Sequence, residues 1–365
     1  MTVDVYNILK DFMDAPAVTG FEDQRRKRII EAYSKYCDSV SVDVIGNIIG
    51  KLGKGKKTIM LAGHYDQIGF MVTYVDDKGY AYFKNVGGWD PRVAYGIRVK
   101  IWVGDSSEDY VIGVIGPKAA HLTDSKDREK VPKITDMTID FGAKDKKTAE
   151  EMGVKLGCVV TPDTELSYLG KEGNDLIIAP AFDDVCAVGS FIVTLDELSK
   201  NLPEDVTVYA VATTQEEVGL RGATVSGYNL NTWCSIAVDV THALAPGIKS
   251  ARVSGIELGK GPVVAMGANF TRGLWEIMEK KAKEKEIPYQ KAGYPGGSGT
   301  DAWALQMQRG GRISGLISVP NRYMHSPNEV VSVSDLENVG KLLAETIRGL
   351  AESDLKHTVE VYKKD

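Results

Sequence analysis

Residues 58–66 read TIMLAGHYD, a largely apolar run that stops at Gly63 and is followed at once by His64, Tyr65 and Asp66. A short run with no polar alternation, ending on a glycine, reads as a strand buried on both faces. The same grammar recurs along the chain. DLIIAPAF (175–182) ends on Asp183-Asp184, VTVYAVATTQ (206–215) on Glu216-Glu217 and GLISVPNRYM (315–324) on His325, while CSIAVDV (234–240) carries Asp239. Between these strands, Val188, Phe191, Ile192, Leu195 and Leu198 keep the three-to-four spacing of an amphipathic helix, and 274–283 and 333–351 read as further helices. Buried strands alternating with helices predict an α/β domain.

Upstream, Ile8 and Phe12 and then Ile29, Ile30 and Tyr33 mark two helices broken by Pro16–Gly20, after which Val40–Ile49 reads as a strand. The basic turn Lys51–Lys57 between that strand and the next contains GKGKK, but Lys57 stands where a phosphate loop needs Ser or Thr, so it reads as a solvated hairpin turn. From Ile68 to Pro162 the texture changes. FMVTYV and YAYFKNV flank the turn Asp76-Asp77-Lys78-Gly79, and GIRVKIWV and YVIGVIG flank a longer loop. Alternation around such turns signals hairpins. Short strands at 138–141 and 158–161, with a helical turn near 148–152, complete a β-rich block set inside the α/β pattern.

With 365 residues, about 150 per domain gives two domains. The chain carries 44 Lys+Arg against 50 Asp+Glu, a net charge of −6, which argues against general nucleic-acid binding because phosphates need a basic face. Cys37, Cys158, Cys186 and Cys234 form no C-x-x-C pair, so reduced thiols are expected. The first residues, MTVDVYNILKDFMDAP, lack the apolar run of a signal peptide, and no stretch is long enough for a membrane span. A cytoplasmic location is the expectation.

In open α/β sheets ligands bind beyond the carboxyl ends of the strands. His64, Asp183, Asp184, Glu216, Glu217, Asp239 and His325 would thus converge on one rim. Each has a plain explanation alone: a histidine after a strand is usually a hydrogen-bonded rim residue, and aspartates readily cap a helix. Together they are harder to dismiss, because adjacent carboxylates at a buried edge repel unless a cation holds them. Two imidazoles with several carboxylates and no thiolate suit zinc, cobalt or manganese and argue against a closed structural zinc site. Asp66, two residues from His64 in an extended segment, projects to the same side and is placed to accept its second ring N–H.

AGHYDQIGFMV (62–72), APAFDD (179–184), TTQEEVGLRGA (213–223), AVDVTHA (237–243) and VPNRYMHSPNEVV (319–331), in this order, resemble the tetrahedral-aminopeptidase (TET) family of dinuclear metallopeptidases, which includes glutamyl aminopeptidases and proteins once labelled endoglucanases. PAVTGFE (16–22), VGGWDPR (86–92), GVIGPKAAHL (113–122) and GGSGTDAWALQ (296–306) resemble family segments too, so the likeness spans almost the whole chain. It implies a zinc exopeptidase-like domain, a mixed central sheet flanked by helices, over 1–67 and 163–365. It also implies an inserted small β-barrel, PDZ-like, over 68–162 that serves oligomerisation. Position by position, it implies that His64 and Asp239 hold one divalent metal ion and Glu217 and His325 a second. Asp183 would bridge both, Glu216 would be the general base and Asp66 would orient His64, with a cis peptide at Asp183-Asp184. The function implied is a metal-dependent aminopeptidase acting on peptide substrates and assembled as a homododecamer, with no nucleic-acid or membrane partner.

Rival readings are a related dinuclear amidohydrolase (dipeptidase or deacylase), a glycosidase and a non-catalytic scaffold. A glycosidase needs two carboxyls flanking a sugar bond about 5–9.5 Å apart, which adjacent glutamates do not suit. Gly296-Gly297-Ser298-Gly299-Thr300 misses the G-x-S-x-G nucleophile pattern and reads as a flexible wall of the substrate pocket, with Asp301 a candidate contact to the substrate amine. His242 reads as a hydrogen-bonding support behind the ligands, with direct substrate contact as the alternative, and His121 and His357 read as surface residues. The N-terminal preference leans to neutral or hydrophobic residues, since no Arg or Lys can be placed in the pocket.

Overall fold

The computed structural model describes residues 3–127 and 129–355. The chain opens with α1 (Val5–Met13) and α2 (Asp23–Tyr33), then β1 (Ser39–Val42), β2 (Ile48–Gly53) and β3 (Lys57–His64). There follow β4 (Gly69–Val75), β5 (Ala81–Val86), α3 (Pro91–Ala94), β6 (Arg98–Trp102), β7 (Tyr110–Ile115), β8 (Thr138–Asp140), α4 (Lys146–Glu151) and β9 (Val159–Pro162). Next come β10 (Ser167–Tyr168), β11 (Leu176–Ala179), α5 (Phe182–Lys200), β12 (Val206–Thr213), α6 (Arg221–Asn229) and β13 (Cys234–His242). The chain continues with β14 (Val263–Gly267), α7 (Arg272–Glu284), β15 (Gln290–Tyr294), α8 (Asp301–Gln306), β16 (Ile313–Asn321), β17 (Glu329–Ser332) and α9 (Val333–Glu352).

The main sheet has eight strands in the order β1-β2-β12-β3-β13-β16-β14-β15. Its centre, β12-β3-β13-β16, is parallel throughout, and antiparallel pairings of β2 with β12 and of β14 with β16 make the whole mixed. The central strands are apolar along their length because helices cover both faces. Ile59 and Leu61 of β3 enter the core shared with α1, α5 and α9, while Met60 and Ala62 meet Ala223 of α6 and Leu305 of α8 on the other side. Gly63 continues the first face. A Cβ there would stand 2.7 Å from the Ala187 methyl, so glycine is what lets the start of α5 close on β3.

β4-β5-β8-β7-β6-β9 form a closed barrel with its own core, including Phe70, Phe83, Val99, Ile101, Ile139 and Val160. Closure leaves no free strand edge. The chain enters the barrel just after Gln67 and leaves it at Pro162. The four cysteines are free thiols, three of them buried. Among the described residues no helix is long and apolar enough to cross a membrane.

Three expectations need correction. The stretch 40–49 is not one strand: the Asp43 carboxylate accepts the amides of Ile45, Gly46 and Asn47 at 3.1, 3.0 and 2.9 Å, which folds a turn between β1 and β2. β2 then runs on to Gly53, so the basic turn shortens to Lys54–Lys56. β11, whose end carries the Asp183-Asp184 pair, is not in the main sheet. It pairs antiparallel with β10 and β17 in a separate three-stranded sheet, so the aspartates arrive from beside the rim, not along it.

Candidate metal centre

The parallel register fixes the first contributions. His64 is the last residue of β3 and lies level with Thr213 of β12, so Glu216 and Glu217 follow one short turn later. That turn needs Gln215 in the left-handed region, at φ 56°. Asp239 stands within β13, level with Ser318 of β16. Asp183 and Asp184 are the non-helical first residues of α5, joined by a cis peptide bond. His325, beyond β16, is held at φ 59°. Asp183, Glu216, Glu217, Asp239 and His325 all line one cavity of about 950 Å³, with His64 buried behind Asp183.

The distances are short. Asp183 sits between the two imidazoles, its Oδ1 3.0 Å from His64 Nε2 and its Oδ2 3.1 Å from His325 Nε2. Glu217 Oε2 lies 3.4 Å from His325 Nε2, and Glu216 Oε2 lies 3.7 Å from His64 Nε2. Ligand atoms of His64, Asp183 and Glu217 fall within 4.8 Å of one another, as do those of His64, Glu216 and Asp239. His64, Asp183, Glu216, Glu217, Asp239 and His325 thus come together, whereas Asp184 does not line the cavity and its carboxylate accepts the His64 amide at 3.2 Å.

The electrostatics are those of a cation site. Burial raises the Glu217 and Asp239 carboxyls well above their usual range, and the nearby Asp183 charge adds to it. Burial likewise pushes Glu216 up to about 10, against the pull of His64. Burial would lower His64, but the Glu216 charge and the hydrogen bonds that the ring donates to the Asp183 and Asp66 carboxylates outweigh it and hold the imidazole well above its ordinary value. Asp183 goes the other way: burial opposes ionisation, and hydrogen bonds to His325 and His64 overcome it. Glu217 Oε1 is buried with no hydrogen-bond partner among the described residues. An orphaned carboxylate oxygen among repelling carboxylates fits a divalent cation, which restores the ionised forms.

The supports were only partly legible. His64 Nδ1 is 3.1 Å from the main-chain oxygen of Asp66 and 3.5 Å from its carboxylate, so the backbone is the nearer partner. The Asp66 carboxylate itself accepts from Thr19 Oγ1 at 2.7 Å and from the Glu216 amide at 3.0 Å. Thr19 and Glu22 come from PAVTGFE; Glu22 Oε1 accepts from Thr214 Oγ1 at 2.5 Å. Arg25, fully buried, donates to the carbonyl of Tyr65 at 3.0 Å. Glu329 is the main residue missed. Its carboxylate accepts the amides of Asp183 (2.9 Å) and His325 (3.1 Å) and the Asn321 side chain (3.0 Å), tying α5 to the His325 loop. Its signal was a glutamate four residues after His325, directly before an apolar pair.

Other candidates fall outside. Asp301 is buried, accepts from Thr213 Oγ1 at 2.5 Å and does not line the cavity, so it is no contact for a substrate amine. His242, the last residue of β13, lines the cavity and is exposed, and its ring makes no hydrogen bond to a ligand residue among the described residues, so it is no support behind the ligands. Ser298 lines the cavity as expected of its segment, and its hydroxyl lies 2.7 Å from Asn269 Oδ1 and 2.8 Å from Thr300 Oγ1, with no histidine as base. His121 is exposed, and His357 lies outside the described residues. The VGGWDPR segment contributes backbone: a Cβ on Gly88 would stand 3.2 Å from His325 Nδ1, so glycine lets the barrel approach that ring.

A sequence profile of the M42 glutamyl aminopeptidase family matches residues 46–342. The lysyl aminopeptidase of Pyrococcus furiosus is 31% identical over 96% of this chain and 98% of its own. The crystal structure of a TET aminopeptidase from a marine sediment Thaumarchaeota archaeon superposes with a TM-score of 0.87 at 31% identity, covering 94% of this chain and 98% of that one. A Pyrococcus horikoshii TET1 peptidase, described as assembling into a tetrahedron or a large octahedral shell, gives 0.78 at 29% identity with the same coverage. Fold and likeness together define the class, a hydrolase of the aminopeptidase type built on a mixed α/β sheet with an inserted barrel. The chain belongs to the M42 glutamyl aminopeptidase family.

Proposed function

We propose that the protein is a metal-dependent aminopeptidase that releases N-terminal residues from peptides, with Glu216 as general base. The observation that carries this reading is the Asp183 carboxylate, which offers one oxygen to the side of each histidine. His64 and Asp239 would hold one divalent ion, Glu217 and His325 the other, and Asp183 both; zinc heads the candidates, with cobalt and manganese behind. When bound, such ions supply Lewis-acid polarisation of the scissile carbonyl and a water acidic enough to attack it.

The chain's own groups do the rest. Glu216, whose carboxylate also lies within reach of His64 and Asp239, is assigned here to proton transfer and not to metal binding: tied by its amide to Asp66, it would accept a proton from the attacking water and return it to the leaving amine. Asp66 fixes the ring of His64 through its main-chain oxygen and carboxylate together. The inserted barrel, over 68–162, is proposed as the assembly element of a homododecamer. The shells formed by solved relatives support that reading.

Glu216→Gln tests it. The variant should lose about 10²–10⁴-fold in kcat while metal analysis finds both ions still bound. Activity should vanish on chelation and return with zinc, cobalt or manganese. Acetylating a test peptide's N-terminus should abolish its cleavage, whereas a deacylase would accept it. Full peptide cleavage by Glu216→Gln would overturn the general-base role, activity that survives exhaustive chelation would favour the glycosidase, and no activity in either protein would favour the scaffold.

A further inference from the structure

The cavity has a second wall that the chemistry does not use. Its charged lining is confined to the carboxylates of the cluster and to His242 and His325; no Lys or Arg lines it among the described residues. The large apolar and aromatic side chains are Leu220, Tyr294, Trp303, Met307 and Met324, with the uncharged Gln308 beside Met307. Trp303 and Met307 are four residues apart, on α8 and its C-cap, and so share one helix face. They are 50% and 71% exposed, a pair of large apolar groups facing solvent at the mouth of a site.

That wall is rigidly set. A Cβ on Gly297 would stand 2.7 Å from the Trp303 ring, so the glycine-rich segment packs its backbone flat against the indole. The Thr300 hydroxyl accepts the amide of Ala302 and caps α8. Leu220, which lines the same cavity, is fixed as the N-cap of α6 by a left-handed backbone, φ 57°.

Resting on the aminopeptidase reading above, we infer that Leu220, Trp303 and Met307 receive the side chain of the substrate's N-terminal residue and select large uncharged residues: leucine, methionine, phenylalanine. A glutamate side chain entering here would meet no Lys or Arg and would face the cluster's carboxylates. A lysine would strip water from its ammonium against an apolar wall, with no carboxylate other than those of the cluster to receive it. Uncompensated burial of charge is the stronger discriminator of the two kinds, ahead of the gain from apolar contact.

The test uses the full chain loaded with zinc or cobalt and a panel of aminoacyl p-nitroanilides. Leu, Met and Phe substrates should exceed Glu and Lys by about tenfold or more in kcat/KM. Trp303→Ala should lower kcat/KM for Leu and Phe about tenfold, mainly through KM, and change the Ala substrate less than about threefold. Met307→Arg, at a solvent-facing position that should not disturb folding, should raise the Glu-to-Leu ratio about tenfold. A preference for Glu or Lys in the unaltered enzyme overturns this inference and leaves the aminopeptidase reading intact. So does unchanged selectivity in both variants with a smaller particle by light scattering, since the wall would then be a subunit contact. No hydrolysis of any unblocked substrate overturns the aminopeptidase reading itself, and this inference with it.

Discussion

His64 and His325 reach the same carboxylate from opposite kinds of structure. His64 closes a central strand, is 1% exposed and has both ring nitrogens engaged. His325 sits on a loop beyond β16, is 35% exposed and has a left-handed backbone; what is held is its amide, by Glu329. One half of the site is thus placed by the sheet, and the other by a loop that the Glu329 carboxylate ties to α5. The deep half should set the position of the chemistry, while the shallow half stays accessible to solvent and substrate.

The strongest way to break this contrast is to remove what the halves share. Asp183→Asn should cost on the order of 10³-fold in kcat/KM, several kcal/mol of transition-state stabilisation, and should empty both sides in a metal count. A single ion lost would mean that the two histidines do not depend on one bridge. Next come the histidines themselves. His64→Gln should lower the melting temperature as well as activity, because it leaves buried carboxylates unpaired, whereas His325→Gln should lose one ion per chain with little change in melting. Equal thermal penalties would dissolve the distinction.

Glu329→Gln should weaken the ion on the His325 side about 10–100-fold, the usual effect of losing a group that orients a ligand, and the ion on the His64 side less, through Asp183 alone. Competitive chelation resolves the two. The smallest effect lies away from the site. Asp335, buried, accepts the amides of Gly259 and Gly261 at 2.7 Å each, yet burial outweighs them and pushes its carboxyl up to about 6. A raised carboxyl binds more protons folded than unfolded between about pH 4 and 6, so its contribution falls as pH rises through that window and is flat above it. The change should be about 1–3 kcal/mol, read as a difference in melting temperature against Asp335→Asn. Parallel curves for the two proteins would refute it.

Much of this was legible because apolar runs and the polar residues that end them are neighbours in sequence. β3, β12, β13 and β16 announce themselves, and with them His64, Glu216, Glu217, Asp239 and His325. What was not legible depends on distant partners. Thr19 serves Asp66 from 47 residues away, and Glu329 serves Asp183 from 146; no local pattern marks such residues. The placement of β11 failed for a related reason, since an apolar strand does not say which sheet it joins. α8 went unread because six residues carry too little periodicity, although it bears the wall next to the site.

The junction at Gln67 has a practical consequence. Its oxygen accepts the Thr19 amide at 3.2 Å, its amide donates to Ala17 at 2.9 Å, and its side chain accepts from Arg25 at 2.5 Å. The residue that anchors the insert is therefore stitched to the N-terminal segment next door to Asp66. Excising the barrel by splicing 67 to 163 would pull on that stitching, so a shortened enzyme needs a linker slack enough to leave Gln67 where it is.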